Sequence, residues 1–95
     1  MYEGGIRVPG VARWPGHIRP GTTTDVPVIG SDLFPTVLGL CGVRGPADRV
    51  IDGADVLPVL TGKAAAVERK VPLYWRLGMA PPKENLHIAM RDGDW

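Results

Sequence analysis

The chain has 95 residues and a single cysteine, Cys41, so no disulfide can form within it and cysteine usage does not report a redox compartment. Its only two histidines, His17 and His87, are far apart in sequence, and neither has a second ligand at metal-binding spacing. The carboxylates do not follow the alternating ligand pattern of an EF-hand calcium loop. Charge of one sign is not in excess: 11 basic residues face 10 acidic ones, for a net charge of +1. No basic run or stripe stands out, which argues against nucleic acid and anionic membrane surfaces as partners. No apolar run approaches the ~20 residues of a transmembrane helix. The N-terminus carries no basic, apolar, small-residue signal, which leaves the compartment open. Aromatics make up 6% and are spread out rather than interleaved with cations, so Tyr2, Trp14, Tyr74, Trp75 and Trp95 read as packing residues, not as a stacking platform. Gly4-Gly5 lacks the downstream lysine and hydroxyl of a phosphate-binding loop.

What is abundant is glycine (13) and proline (10), roughly twice average usage. They are dispersed, which predicts many turns and short elements rather than a low-complexity tail. The apolar fraction, 44%, is ordinary for a globular protein. The length allows one domain or a piece of one. A chain of this size buries only about 60–65% of its unfolded surface, so independent stability is marginal. No internal repeat is present.

Along the chain, Gly4-Gly5 reads as a hinge that feeds a buried strand over residues 6–14, built on Ile6, Val8, Val11 and Trp14. Pro9 within it points to an edge or a bulge, and Pro15-Gly16 ends it. Pro20-Gly21 is a turn signal inside an exposed loop that carries His17, and residues 25–29 form a short extended piece. The period then changes from 2 to 3.6. Ser31 or Asp32 can cap a helix over about 32–41, Pro35 is tolerated in its first turn, and Gly42 terminates it. Phe34, Val37, Leu38 and Cys41 form its apolar stripe, widened by Leu33 and Leu40. After a polar loop, a shorter helical segment over about 54–60 buries Val56, Leu57, Val59 and Leu60 and stops at Gly62. Residues 63–70 read as a charged, alanine-rich surface connection. Strands follow over 71–77 and 86–91, separated by a stiff Pro81-Pro82 loop. Asp92-Gly93 is a hairpin turn signal with Asp94 and Trp95 after it, so the returning strand is expected to lie outside the chain.

Four blocks carry a resemblance: Tyr2-Glu3-Gly4-Gly5-Ile6-Arg7-Val8-Pro9 through Trp14-Pro15-Gly16; Asp32-Leu33-Phe34-Pro35-Thr36; Asp52-Gly53-Ala54-Asp55-Val56-Leu57-Pro58-Val59-Leu60-Thr61-Gly62; and Arg91-Asp92-Gly93-Asp94-Trp95. In this order and spacing they resemble the sulfatase family of the alkaline-phosphatase-like superfamily, across almost the whole chain. The resemblance implies an α/β fold, of which this chain is a fragment: strand plus helix, then strands of a small antiparallel C-terminal sheet. Residues 1–62 would belong to the end of the large α/β domain, 63–70 would be a connection, and 71–95 would start the small C-terminal subdomain. It implies hydrolysis of small-molecule or saccharide sulfate esters by the full-length protein, with calcium and a formylglycine nucleophile. An active-site lysine would lie a few residues before Met1, and the calcium ligands in other segments. Many relatives are secreted, periplasmic or lysosomal.

The individual residues allow blander readings. Cys41 is followed by Gly42-Val43-Arg44 and lacks the proline of the Cys/Ser-x-Pro-x-Arg motif that becomes formylglycine, so it reads as a core cysteine. His17 reads as solvated. His87 is the better candidate for an active site, because the small domain helps to line the cleft in this family. Asp52, Asp55, Asp92 and Asp94 read as turn and cap residues that accept local N–H groups. Arg7 either braces the loop with the missing lysine or adds positive potential for an anionic substrate; alternatively it pairs with Glu3 and fixes the hinge. Trp75, followed by Arg76, reads as core packing ahead of a sugar contact. The site-supporting candidates are therefore Glu3, Gly4, Gly5, Arg7 and His87, with no catalytic or metal-ligating residue. The expected function is part of a sulfatase, inactive as this chain alone. The alternatives are a phosphate or phosphonate ester hydrolase of the same superfamily, or a small non-catalytic binding module that folds by itself.

Overall fold

The computed structural model describes residues 2–78 and 87–93. Met1, the Pro81-Pro82 loop, Leu86 at the head of the second expected strand, and Asp94 and Trp95 beyond the final turn lie outside the described residues. The elements are a one-turn helix α1 (Glu3–Ile6), a 3-10 turn (Gly30–Asp32) that runs into helix α2 (Leu33–Leu40), a one-turn helix α3 (Leu57–Leu60), and strands β1 (Leu73–Leu77) and β2 (His87–Arg91). They fall into two compact units, Ala12–Lys70 and Met1–Val11 with Val71–Trp95.

In the unit Ala12–Lys70, helix ends are fixed by the glycines that the sequence offers. Gly42 has φ +63° and Gly62 has φ +73°, the left-handed region where a Cβ is penalised. After α2, the Gly42 N–H donates to the Gly39 carbonyl (3.2 Å) and the Val43 N–H to the Leu38 carbonyl (2.9 Å). After α3, the Gly62 N–H donates to Val59 (3.0 Å) and the Lys63 N–H to Pro58 (2.7 Å). Both are Schellman terminations, which satisfy the last carbonyls of a helix. Pro58 lies in the first turn of α3 and Pro35 in that of α2, where a missing N–H costs little. Val56 and Val59 are the buried apolar side chains here.

The inward face of α2 is polar. Asp32 and Thr36, one helical turn apart, are buried, while Leu33, Phe34, Val37 and Leu40 are 44–62% exposed. The expected stripe exists, but apart from half-buried Leu38 it faces outward. Cys41 lies at its end and is exposed, which corrects the core-cysteine reading. The reason is local: the chain near α2 offers hydrogen-bond partners for Asp32 and Thr36 and too little apolar surface to cover the other side.

In the second unit, β1 and β2 pair antiparallel, with Leu73 opposite Arg91, Trp75 opposite Ala89 and Leu77 opposite His87. Alternation places Leu73, Trp75 and Leu77 on one face and Tyr74 and Arg76 on the other. Leu73 is buried and Trp75 half-buried, whereas Tyr74 is exposed. Gly93 turns the chain after β2 with φ +59°. This is the small antiparallel sheet that the sequence predicts.

The expected strand over 6–14 does not form. Residues 3–6 make one helical turn and residues 7–14 have no regular structure. Val8 and Val11 are 70% and 96% exposed. A strand exists only by pairing, Pro9 has no N–H to donate, and none of the described residues pairs with this segment. Gly4 and Gly5 sit in α1 with open space where a Cβ would project, so they are helical residues here rather than a hinge that requires glycine. Tyr2, 89% exposed, is not a packing residue within this structure.

Candidate functional site

Of the five sequence-predicted site residues, Glu3, Gly4 and Gly5 lie on α1 and Arg7 is the residue that caps its C-terminal end. Arg7 Nη1 donates to Glu3 Oε1 at 2.9 Å, across one helical turn, and the Arg7 N–H closes α1 onto the Glu3 carbonyl at 2.7 Å. Both side chains are exposed, 74% and 70%. An exposed pair at this spacing contributes about 0.3–0.5 kcal/mol, so it orients Arg7 more than it stabilises the turn. His87 opens β2 opposite Leu77, exposed.

The best-defined polar constellation lies elsewhere, at the start of α2. The Asp32 side chain is 0% exposed and the Arg69 side chain 16%. Arg69 presents its guanidinium as a fork: Nη1 donates to Asp32 Oδ1 at 2.7 Å and Nη2 to Oδ2 at 2.8 Å. Nη2 also donates to the Pro27 carbonyl at 2.7 Å. Each carboxylate oxygen accepts one further backbone bond: Oδ1 from the Ala54 N–H and Oδ2 from the Ile29 N–H, both at 2.9 Å. Below them, the Thr36 hydroxyl donates to the Asp32 carbonyl (2.6 Å) and accepts from the Val56 N–H (3.0 Å). One aspartate thus joins the segments at 27–29, 54–56 and 69 to the head of α2. Among the described residues, no buried side-chain nitrogen or oxygen lacks a partner.

Burial alone pushes the Asp32 carboxyl up. The hydrogen bonds from Arg69, Ala54 and Ile29, together with the Arg69 charge, pull it further down, and it lies below its ordinary 3.8. It is therefore an ionised anchor at neutral pH, not a proton donor. The residue expected to cap α2 is committed elsewhere, since Asp32 makes no side-chain cap bond to that helix.

Gly53 completes the node. A Cβ there would collide with the Ser31 backbone carbonyl and approach the Asp32 nitrogen to 2.9 Å, so only glycine lets the two backbones pass. In the sequence, Gly53 stands out only as part of the block Asp52–Gly62, and Arg69 falls in the expected surface connection 63–70. No local pattern relates an arginine to an aspartate 37 positions away.

The same unit carries an open hollow of about 200 Å³, whose lining includes Trp14, His17, Asp55, Leu57, Thr61 and Lys63. Trp14 and His17 stack with ring centroids 3.8 Å apart and planes 8° from parallel, on a turn in which the His17 and Ile18 N–H groups bond to the Trp14 carbonyl. Asp55 Oδ1 accepts the Leu57 N–H at 2.9 Å, the local bond expected of it.

No group of three His, Cys, Asp or Glu among the described residues could hold a metal ion. Exposed Cys41, followed by Gly42-Val43-Arg44, does not have the sequence context of a formylglycine precursor. These side chains orient and brace backbone and carry charge.

Comparison with known proteins identifies the family. Residues 1–92 match the family described as N-sulphoglucosamine sulphohydrolase, C-terminal. The chain is 56% identical over 74 residues to the steryl-sulfatase of Rattus norvegicus, covering 78% of this chain and 13% of that protein. It is 52% identical over 63 residues to the steryl-sulfatase of Homo sapiens, covering 66% and 11%. With the N-acetylgalactosamine-6-sulfatase of Mus musculus it shares 45% identity over 75 residues, covering 77% and 14%. It thus spans only a small part of the curated relatives it matches. With a family match that runs through nearly every residue, the chain belongs to the sulfatases, in the family defined by the C-terminal part of N-sulphoglucosamine sulphohydrolase.

Proposed function

We propose that this chain is a structural part of a sulfatase that hydrolyses sulfate esters, and that it acts by holding site-bearing segments rather than by supplying the reacting groups. The observation that carries this reading is the family match over residues 1–92, combined with a polar node whose every member is occupied in bracing backbone. The relatives are named for steryl and N-acetylgalactosamine-6 sulfates, so the substrate class we propose is a steroid or saccharide sulfate ester. In the terms of the family, residues 1–62 would close the large α/β domain, 63–70 connect, and 71–95 begin the small C-terminal subdomain. Calcium and the formylglycine nucleophile would be held by residues outside this chain.

Within the chain, Glu3, Gly4, Gly5, Arg7 and His87 are the proposed site-supporting residues. Arg7 is the one with the clearest physical case: a fixed cation on a short turn, held by Glu3 and open to solvent, suits an anionic ester.

The test is a chimera in which this chain replaces the matching segment of the rat steryl-sulfatase. Retained hydrolysis of a steryl sulfate is the expected result. A chimera that folds and is soluble but no longer cleaves the sulfate would sink the proposal. Within an active chimera, Arg7→Ala should raise KM with an unchanged melting temperature. A lower melting temperature at constant KM would instead assign Arg7 a bracing role.

A further inference from the structure

The hollow beside Trp14 takes no part in the Asp32 node, yet its walls are set. Trp14 and His17 stack face to face, on a turn closed by N–H bonds from His17 and Ile18 to the Trp14 carbonyl. His17 Nδ1 lies 3.4 Å from the Pro15 carbonyl. Two rings held in this way form a wall that a ligand need not order, and such preorganisation lowers the cost of binding. Leu57 adds apolar lining. The Thr61 hydroxyl is spent on the helix, donating to the Leu57 carbonyl at 2.9 Å.

Two charged side chains in the lining keep capacity for a ligand. Asp55 commits Oδ1 to the Leu57 N–H, and its Oδ2 has no hydrogen-bond partner among the described residues. Lys63 follows the turn at Gly62, with its N–H bonded to the Pro58 carbonyl at 2.7 Å, so its side chain starts from a fixed point. Its ammonium makes no ion pair among the described residues.

This lining selects among ligands. An inorganic anion would meet Lys63 but also the Asp55 carboxylate, and would gain nothing from the rings. A simple cation would be repelled by Lys63. A steroid nucleus, with four fused rings, is too large for about 200 Å³, since pockets for drug-sized ligands begin at about 300 Å³. One pyranose ring with an anionic substituent uses every wall. Its C–H face lies on an aromatic ring, its hydroxyls donate to a carboxylate that only accepts, and its anion forms a charge-assisted bond with the ammonium.

We infer that the hollow formed by Trp14, His17, Asp55 and Lys63 is a binding site for one sulfated pyranose unit of a saccharide. The inference rests on the functional reading above for the sulfate group, and of the ester classes named there it selects the saccharide.

The test is saturation-transfer NMR on the chimera with glucose 6-sulfate as the probe, and with glucose and inorganic sulfate as controls. Transfer to the pyranose ring protons is expected, with affinity for glucose about tenfold weaker. Lys63→Glu, at an exposed position, should weaken glucose 6-sulfate about tenfold at an unchanged melting temperature. Asp55→Asn keeps an acceptor for the Leu57 N–H and should weaken it several-fold. No transfer, or transfer that neither substitution changes, overturns the inference. Displacement of the probe by an equal concentration of inorganic sulfate overturns it as well, because the site would then read only the anion. A chimera that cleaves steryl sulfate without this binding refutes the sugar site alone. A folded, inactive chimera that keeps the binding refutes the functional reading alone.

Discussion

The Asp32 carboxylate accepts four bonds, two from the Arg69 fork and two from backbone N–H groups. Taking both charges out of water is costly, and such a pair repays that cost only when its remaining hydrogen-bonding capacity is filled, as it is here. Removing one partner leaves the other charge stranded, with a typical loss of about 3–5 kcal/mol. Arg69→Met is therefore expected to destabilise the unit strongly, and Asp32→Asn to do so as well, because an amide nitrogen would face donors. Hydrogen-exchange protection of the Ala54 and Ile29 amides in the chimera measures this directly. The pH dependence has a definite sign. The folded carboxyl lies below its ordinary 3.8, so its contribution is complete at neutral pH and is lost as pH falls below about 4 through the folded value. Protection of those two amides, corrected for intrinsic exchange, should hold from pH 7 to 5 and fall in acid. A loss centred near pH 6 would implicate another group.

Two neighbours depend on shape rather than charge. Thr36→Val keeps the volume and removes the hydroxyl, which leaves the buried Val56 N–H without its acceptor. The expected cost is about 1–3 kcal/mol, seen as faster exchange at Val56. At Gly53 an added methyl meets the Ser31 carbonyl, and backbone cannot rotate away as a side chain can. Gly53→Ala should cost about 1–3 kcal/mol or more, read as a lower melting temperature of the chimera.

At the level of elements, terminators were the most legible feature, and partnerships were the least. Gly42 and Gly62 announce their helix ends because φ near +60° to +73° excludes most other residues. Period 3.6 identified α2, and bulky residues between turn signals identified β1 and β2. The segment 6–14 failed because its apolar residues specify a strand only if another strand is present to pair with, and pairing is not written in one segment. Asp32 looked like a cap because caps are local; its real partner, Arg69, lies 37 positions further along the chain. The Glu3–Arg7 ion pair was legible, being local at one helical turn, and the Asp32–Arg69 node, 37 positions apart, was not. The elements also differ in how much a single change matters. In α1, with two glycines and four residues, Glu3→Gln should shift stability by no more than about 0.5 kcal/mol, within error in the chimera's melting temperature. A large shift would show that α1 is a structural element in its own right.

The whole chain presents an unusual balance of apolar surface. Among the described residues, three apolar side chains, Val56, Val59 and Leu73, are buried, while fourteen large ones are exposed. An independent domain of this size hides most of its large apolar groups, since hydrophobic burial is what offsets the entropy of ordering the backbone. The polar node is tightly made, but buried ion pairs fix geometry better than they supply net stability. The only sheet consists of two strands among the described residues, and a two-stranded sheet is marginal by itself in water. The expected outcome for the isolated 95-residue chain is thus a sloping thermal trace by circular dichroism, concentration-dependent association through its apolar faces, and no turnover of an aryl sulfate. A sharp sigmoidal melt of a monomer, with matching calorimetric and van't Hoff enthalpies, would establish a self-sufficient module. Aryl sulfate turnover by the pure chain would mean that reacting groups do reside within it. If neither occurs and the chimera nevertheless cleaves its steryl sulfate, the division of labour follows: this chain supplies a braced scaffold and one oriented cation, and the chemistry belongs to the rest of the enzyme.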